Sequence, residues 1–315
     1  MKTSIFIKTA IAVIATLSLG SANVSAVVVN EEENLLKTIT TAESNATQKG
    51  IIKHVEVSQP TEAKINDKGV TGDSGFGEIS VSFDEHVRLE DIAQTEYAVD
   101  TEVGAVAKAT SEVGMLLQTE KVEKHEQFIE SKWDLSLPEG VEAISFDDGS
   151  IGFRMETENG VSAISETTIS APWAVDEHGN SLETWYEIST DGSSITQIVN
   201  TQDIEGKIIL DPRVTYGRGI YINWYGGELR ALKAAGSTSL ALAAGYGCAQ
   251  VSQLRHPALI AIAGLLCLTV GSPVAIRSLR YALDNLRSIN DGTCYQWKVG
   301  SYYMNTVPAS GNCRP

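Results

Sequence analysis

A chain of 315 residues, 43% of them hydrophobic, is long enough for two modest domains and can bury a real core. Its 40 Asp and Glu against 24 Lys and Arg leave a net charge of −16, which argues against nucleic acid as a partner. That charge is divided along the chain. Residues 27–210 hold 36 acids and 12 basic residues, whereas residues 211–315 hold 4 and 10, so the two parts attract each other and suit different partners.

Residues 1–26 read as a secretory signal peptide. Lys2 and Lys8 form a charged start, residues 10–19 an apolar core, and Val24, Ser25 and Ala26 the small residues before a cut. An apolar run of about ten residues is half of what a bilayer-spanning helix needs. The expected location is therefore secreted or extracellular, free or associated with the cell envelope.

Residues 27–75 are polar and are expected to be partly flexible. Within them EEENLLKTITTAES predicts one short helix, with Leu35, Leu36 and Ile39 on one face, and IIKHVEV predicts an edge strand. Residues 76–212 are expected to form an acidic β-rich domain. EISVSF and VGMLLQTE read as strands, and the Ala- and Val-rich segment between them fits helix or strand. From residue 120 onward short alternating runs follow one another: QFIESKWDLSL, VEAISF, SIGFRMET, VSAISETTI, LETWYEIST, SITQIVN and KIIL. Turn signals separate several of them, among them Pro138-Glu139-Gly140, Asp148-Gly149, Asn159-Gly160 and Asp191-Gly192. Seven short strands in about ninety residues predict an antiparallel sandwich or meander.

Residues 213–315 read as a basic helical module with four cysteines. VTYGRGIYINWY predicts a strand with Ile220, Ile222 and Trp224 on one side, ended by Gly226 and Gly227. Short helices follow, then the uncharged run PALIAIAGLLCLTV over 257–270. Ser272 and Pro273 have the character of an N-cap and first helical residue. In the helix they open, Ile276, Leu279, Leu283, Leu286 and Asn290 form one face, and Arg277, Arg280, Asp284 and Arg287 the other. This helix is expected to stop at Asp291-Gly292, before the hairpin TCYQWKVGSYYMNT.

The fold class these elements predict is α+β: an antiparallel β-sandwich or meander, then a small disulfide-stapled α-helical module ending in a β-hairpin. The strings LPEGVEAISFDDGSIGF, APWAVDEHGNSLETWYEI and ILDPRV resemble a β-domain of uncharacterised exported proteins from high-GC Gram-positive bacteria. In those relatives a small cysteine-bearing module commonly follows the Asp-Pro step. The resemblance covers about residues 125–225 and brings no catalytic residues with it.

Export also governs how the cysteines are read. Cys248, Cys267, Cys294 and Cys313 are even in number and crowd the C-terminal end, which predicts two disulfides rather than a metal site. Three connectivities are open. Equal separations of 19 residues favour Cys248–Cys267 with Cys294–Cys313. Each such loop contributes on the order of 3 kcal/mol.

Motif by motif, no catalytic site emerges. GDSGFG at 72–77 contains the string found around a protease serine, but His54 lacks the flanking motif a partner base needs, so the run reads as a glycine turn. Asp176, Glu177 and His178 sit together in a hairpin-loop composition and read as a solvated turn. No cofactor, metal or enzymatic activity is expected. The charge-free stretch 257–276 is broken at Gly271-Ser272-Pro273, leaving about 14 residues, or roughly 21 Å of helix. That is short of a hydrocarbon layer of about 30 Å and predicts a buried helix. Arg277, Arg280 and Arg287 are the candidate contacts to an anionic membrane surface or cell-wall polymer. The functional expectation is an acidic β-domain that carries a basic, disulfide-stapled effector acting on membranes or the envelope. The alternative is an extracellular or envelope-associated binding or structural protein that keeps its C-terminal module.

Overall fold

The computed structural model describes residues 22–89, 96–123, 126–156, 162–234 and 273–313. It opens with helix α1, Ala22–Gln48, much longer than the single short helix the sequence predicts. Ile39, Ala42 and Ala46 fall on one face at helical spacing and are buried. The helix ends in a Schellman motif: Ile51 N donates to Ala46 O at 2.9 Å, Gly50 N donates to Thr47 O at 3.0 Å, and Gly50 takes the positive φ of 69° the motif requires. Residues 51–57, expected as an edge strand, join no ladder and have no regular secondary structure.

The strands are β1 Lys64–Ile65, β2 Gly69–Asp73, β3 Glu78–Phe83, β4 Tyr97–Asp100, β5 Ala105–Thr110, β6 Val113–Val122, β7 Phe128–Ser136, β8 Val141–Ser145 and β9 Ile151–Glu156. They continue with β10 Ser162–Ile169, β11 Ala174–Asp176, β12 Thr184–Ile188, β13 Ser194–Asn200, β14 Gly206–Leu210, β15 Arg213–Thr215, β16 Ile220–Tyr225, β17 Cys294–Lys298 and β18 Met304–Val307. Every pairing among the described residues is antiparallel. The β-rich expectation therefore holds. The segment between β3 and β6, ambiguous in sequence, is the strand pair β4–β5 where it is described.

Two sheets result. The smaller runs β1-β2-β3-β7-β13-β12. The larger is centred on β6, with β5 and β4 on one side and β14 and β15 on the other, and it continues through β10 to β16, β17 and β18. Val70, Ile79, Val81, Phe83, Trp133, Ile195 and Val199 of the small sheet share one core with Leu116, Phe153, Ile169, Leu210, Val214 and Tyr216 from the large sheet or its margin. On the opposite face of the large sheet, Val106, Met115, Leu117, Trp173 and Ile209 are covered by α1. There Lys108 on β5 pairs with Glu43 on α1 at 2.7 Å.

The register on β6 is unbroken from β14 to β15, since Leu210 faces Gln118 and Arg213 faces Met115. These two strands are one line of chain, interrupted only at Asp211-Pro212. Proline has no N–H to give a ladder and is normally excluded from central strands. Here Pro212 faces β6, its carbonyl accepting from Leu116 N at 3.0 Å, so one ladder bond is lost there; on the other side no strand flanks the step, because β10 ends at Ile169 and β11 begins at Ala174. The sheet thus crosses the expected boundary at 212/213, and VTYGRGIYINWY is two strands rather than one.

After β16 a helix, α2, spans 226–234. Its first residue is a glycine because the chain there passes so close to Asn290 that a Cβ would overlap the Asn290 carbonyl. Helix α3, Pro273–Asn285, stops before the predicted Asp291-Gly292. Lys233 Nζ donates to Leu286 O at 2.7 Å, and the Arg230 guanidinium donates to Ile289 O at 2.7 Å. Basic side chains of α2 thus satisfy carbonyls beyond the end of α3 and let the helix finish early. The C-terminal region accordingly combines strands with helices, and the expected terminal hairpin is β17–β18.

Candidate functional site

The C-terminal region has its own core. Ile220, Ile222, Trp224, Leu229, Leu232, Leu279, Leu283, Tyr295 and Trp297 pack together, with Ala163 the upstream residue fully buried among them. Trp224 and Trp297 stack with centroids 6.4 Å apart. The buried face of α3 is Ala275, Ser278, Leu279, Ala282 and Leu283.

On its other face Arg277, Tyr281 and Asn285 follow at i, i+4 and i+8. Tyr281 is 59% exposed, and beside it Tyr302 is 52% and Tyr303 72% exposed. The rings of Tyr281 and Tyr302 meet edge to face at 5.8 Å. Asn285 Nδ2 donates to Tyr302 O at 3.3 Å and fixes that loop against the helix. Arg277 and Arg280 are exposed, and Arg280 lies 3.7 Å from Asp284. Arg287 is exposed too, but it lies past the end of α3 rather than in a helical stripe. The face therefore joins cations to amphipathic aromatic rings, and only the cations stood out in the sequence. The adjacent tyrosines of SYYMNT were the available signal.

Cys294 and Cys313 form the expected disulfide, with Cα atoms 6.0 Å apart. Cys248 and Cys267 lie outside the described residues, as does the apolar run 257–270. Among the described residues no helix is long and apolar enough to cross a membrane. The bridge ties the C-terminal tail to β17, and the tail also meets the β8–β9 turn, where Ser310 Oγ donates to Asp147 Oδ1 at 2.8 Å. A cleft of about 550 Å³ opens there, lined by Ile51, Lys53, Phe146, Asp148, Pro172 and Pro308 among others.

A carboxylate that sequence reasoning missed joins the acidic and basic parts. Glu166 on β10 accepts from Ser58 N at 2.7 Å, Gln59 N at 3.1 Å and Tyr221 Oη at 3.0 Å, and Lys298 Nζ stands 3.6 Å away. Burial pushes its pKa up, but the bonds from Ser58, the charge of Lys298 and the bond from Tyr221 outweigh that and hold it below the usual value. Tyr221 is pushed up to about 12, first by burial and then by Glu166. Next to it, Thr167 Oγ1 donates to Gly217 O at 3.1 Å and accepts from Gly217 N at 3.0 Å.

Another buried carboxyl is that of Asp211, fully inaccessible to solvent. Its Oδ1 accepts from Trp173 N at 3.4 Å, and its Oδ2 has no hydrogen-bond partner. Tyr186 Oη donates to the backbone oxygen of the same residue at 3.2 Å. Burial drives the Asp211 pKa well above the usual range, with Glu43 adding to the rise and the Trp173 bonds and Arg213 opposing it.

The motifs singled out in the sequence have structural roles. Ser74 of GDSGFG is fully buried in the β2–β3 turn, where its Oγ donates to Gly77 O at 2.8 Å. Asp176 accepts from His178 N at 2.9 Å and Asn180 N at 2.7 Å, making a self-bonded turn. Among the described residues no three His, Cys, Asp or Glu side chains are grouped to hold a metal ion. Comparison with known proteins finds no matching family model, curated protein or solved structure.

Proposed function

We propose that this is an exported protein in which an acidic β-domain carries a basic, disulfide-stapled C-terminal region that acts on an anionic membrane or envelope surface. The observation that carries the reading is the outward side of α3, where Arg277 and Arg280 are exposed on the same helix as Tyr281, whose ring meets that of Tyr302, with Tyr303 exposed next to it in the chain. Tyrosine has an apolar body and a polar tip, which suits a bilayer interface. Each basic residue near an anionic surface adds about 1 kcal/mol of attraction. The separate core of this region and the resemblance to exported β-domains that precede cysteine-bearing modules support the same reading.

Co-sedimentation of the whole mature chain with anionic and neutral vesicles, at low and high salt, tests it. Pelleting with anionic vesicles that weakens with salt and with Arg277→Glu is the expected result. Equal pelleting with both lipids, or none with either, ends the proposal.

A second reading keeps the C-terminal region in place for good, as part of an envelope-associated binding protein. The ladder from β6 through β15 and β10 to β16 favours it, because departure of that region would unzip a continuous sheet.

A further inference from the structure

We propose that the chain cuts its own Asp211–Pro212 peptide bond, with the Asp211 carboxyl attacking its own backbone carbonyl while the Tyr186 hydroxyl holds the carbonyl oxygen. This goes beyond the surface-binding reading and does not depend on it.

Several observations meet at this one bond. A buried polar atom without a partner calls for a reason, and Asp211 Oδ2 is one. It belongs to the same residue whose carbonyl oxygen receives the Tyr186 hydroxyl, the kind of donor that stabilises a developing oxyanion. The leaving group is a proline nitrogen in the middle of a central strand line. That nitrogen faces β6, where Leu116 N donates to Pro212 O at 3.0 Å, but it carries no hydrogen, so no ladder bond ties it down, while the Asp211 carbonyl faces the opposite side, where β10 has ended and β11 has not begun. Nucleophile and electrophile share one residue, so no encounter is needed.

The step balances. A bond forms between an Asp211 side-chain oxygen and the Asp211 backbone carbon, closing a five-membered cyclic anhydride. The carbon–nitrogen bond to Pro212 breaks, and the carboxyl proton passes to the proline nitrogen, which becomes a free secondary amine. One water molecule then opens the anhydride and leaves Asp211 with two carboxyl groups. Nothing is oxidised or reduced. The groups that set the proton on Asp211 are Glu43 from α1, itself paired to Lys108 of β5, Arg213 from β15, and Tyr186 from β12. Because burial raises the Asp211 pKa, its acid form persists to higher pH than in the unfolded chain, and the reaction should run in milder acid in the folded chain than in the unfolded one. After the cut, the pairing of β15 and β16 with β6 and β10 still holds the two pieces together.

The test is the intact mass of purified full-length chain under denaturing conditions, followed over time from neutral to mildly acidic pH. Two fragments are expected, the second starting at Pro212, at a rate independent of protein concentration. Parallel samples held unfolded in urea at the same pH should stay whole. Asp211→Asn should abolish the cut, and Tyr186→Phe should slow it by roughly a hundredfold. A folded chain that stays intact overturns the proposal. So does equal cleavage in urea, which is ordinary acid lability, or cleavage that survives Asp211→Asn or rises with concentration, which is a protease.

Discussion

The core between the two sheets and the core under α3 use the same kinds of side chain but are closed in different ways. The first gathers residues from Ala63 to Tyr216, and its strands lie between others that are far away in sequence. The second gathers residues almost all from 220–299, is rimmed on one side by short helices, and has a disulfide beside it. A large core bounded by ladders is held by its topology. A small one cannot bury enough apolar surface for comparable stability, and a covalent staple makes up part of the difference. Their join is polar, made by Glu166 and the short pairing of β10 with β16.

The sharpest way to break this comparison is a matched pair of core deletions. Trp133 and Trp297 are both fully buried, one in each core. Trp133→Ala should cost about 3–5 kcal/mol and lower the melting of the whole chain. Trp297→Ala should open residues 220–299 while amides of β7 and β13 stay protected from hydrogen exchange. Loss of protection in β7 of the second variant would merge the two regions into one cooperative unit. Next in size, replacing Cys294 and Cys313 together by Ser should cost about 3 kcal/mol, read by denaturant melting of the C-terminal region with little change in the sheet core.

Glu166→Gln addresses the join and should cost about 1–3 kcal/mol, because it weakens bonds to a charged acceptor. The wild-type stability from Glu166 is present above the ordinary glutamate pKa and is lost as pH falls through its depressed folded value. The difference between wild type and Glu166→Gln should therefore shrink in acid, and a constant difference down to low pH would remove Glu166 as the charged link. Smallest in stability is Arg277→Glu on the exposed face, expected to stay within about 0.5 kcal/mol by melting while it weakens vesicle binding.

Strand existence was legible where alternation and turn residues coincide. Asp191-Gly192 between TWYEI and SITQIVN marks the β12–β13 hairpin directly. The failures are where a distant partner decides. Residues 51–57 alternate like a strand, yet the adjoining Ser58 and Gln59 amides are taken by a carboxylate more than 100 positions away, and no neighbouring strand pairs with them. Asp211-Pro212 drew notice through the charge division and the resemblance, not through its pairing. Its register on β6 depends on partners at Gln118 and Met115 that local sequence cannot reveal. Glu166 drew no notice for the same reason, its partners being Ser58, Tyr221 and Lys298. Arg277 and Arg280 were readable because helical spacing alone places them outward, whereas Arg287 was misplaced by a helix end that α2 decides.

The line β14–β15 also sets the order in which the molecule can come together. Strands β2 to β6 are made early, but β6 lacks a neighbour on one side until residues 206–215 follow it. Strand β10 in turn waits for β16, and β16 waits for β17 near the chain end. Pairings of such high sequence separation make folding slow and keep apolar strand edges bare in the meantime. A chain threading outward N-terminus first would present those edges long before their partners arrive. The many acids of residues 27–210 lie along that waiting stretch, and their mutual repulsion discourages one unfinished chain from pairing with another.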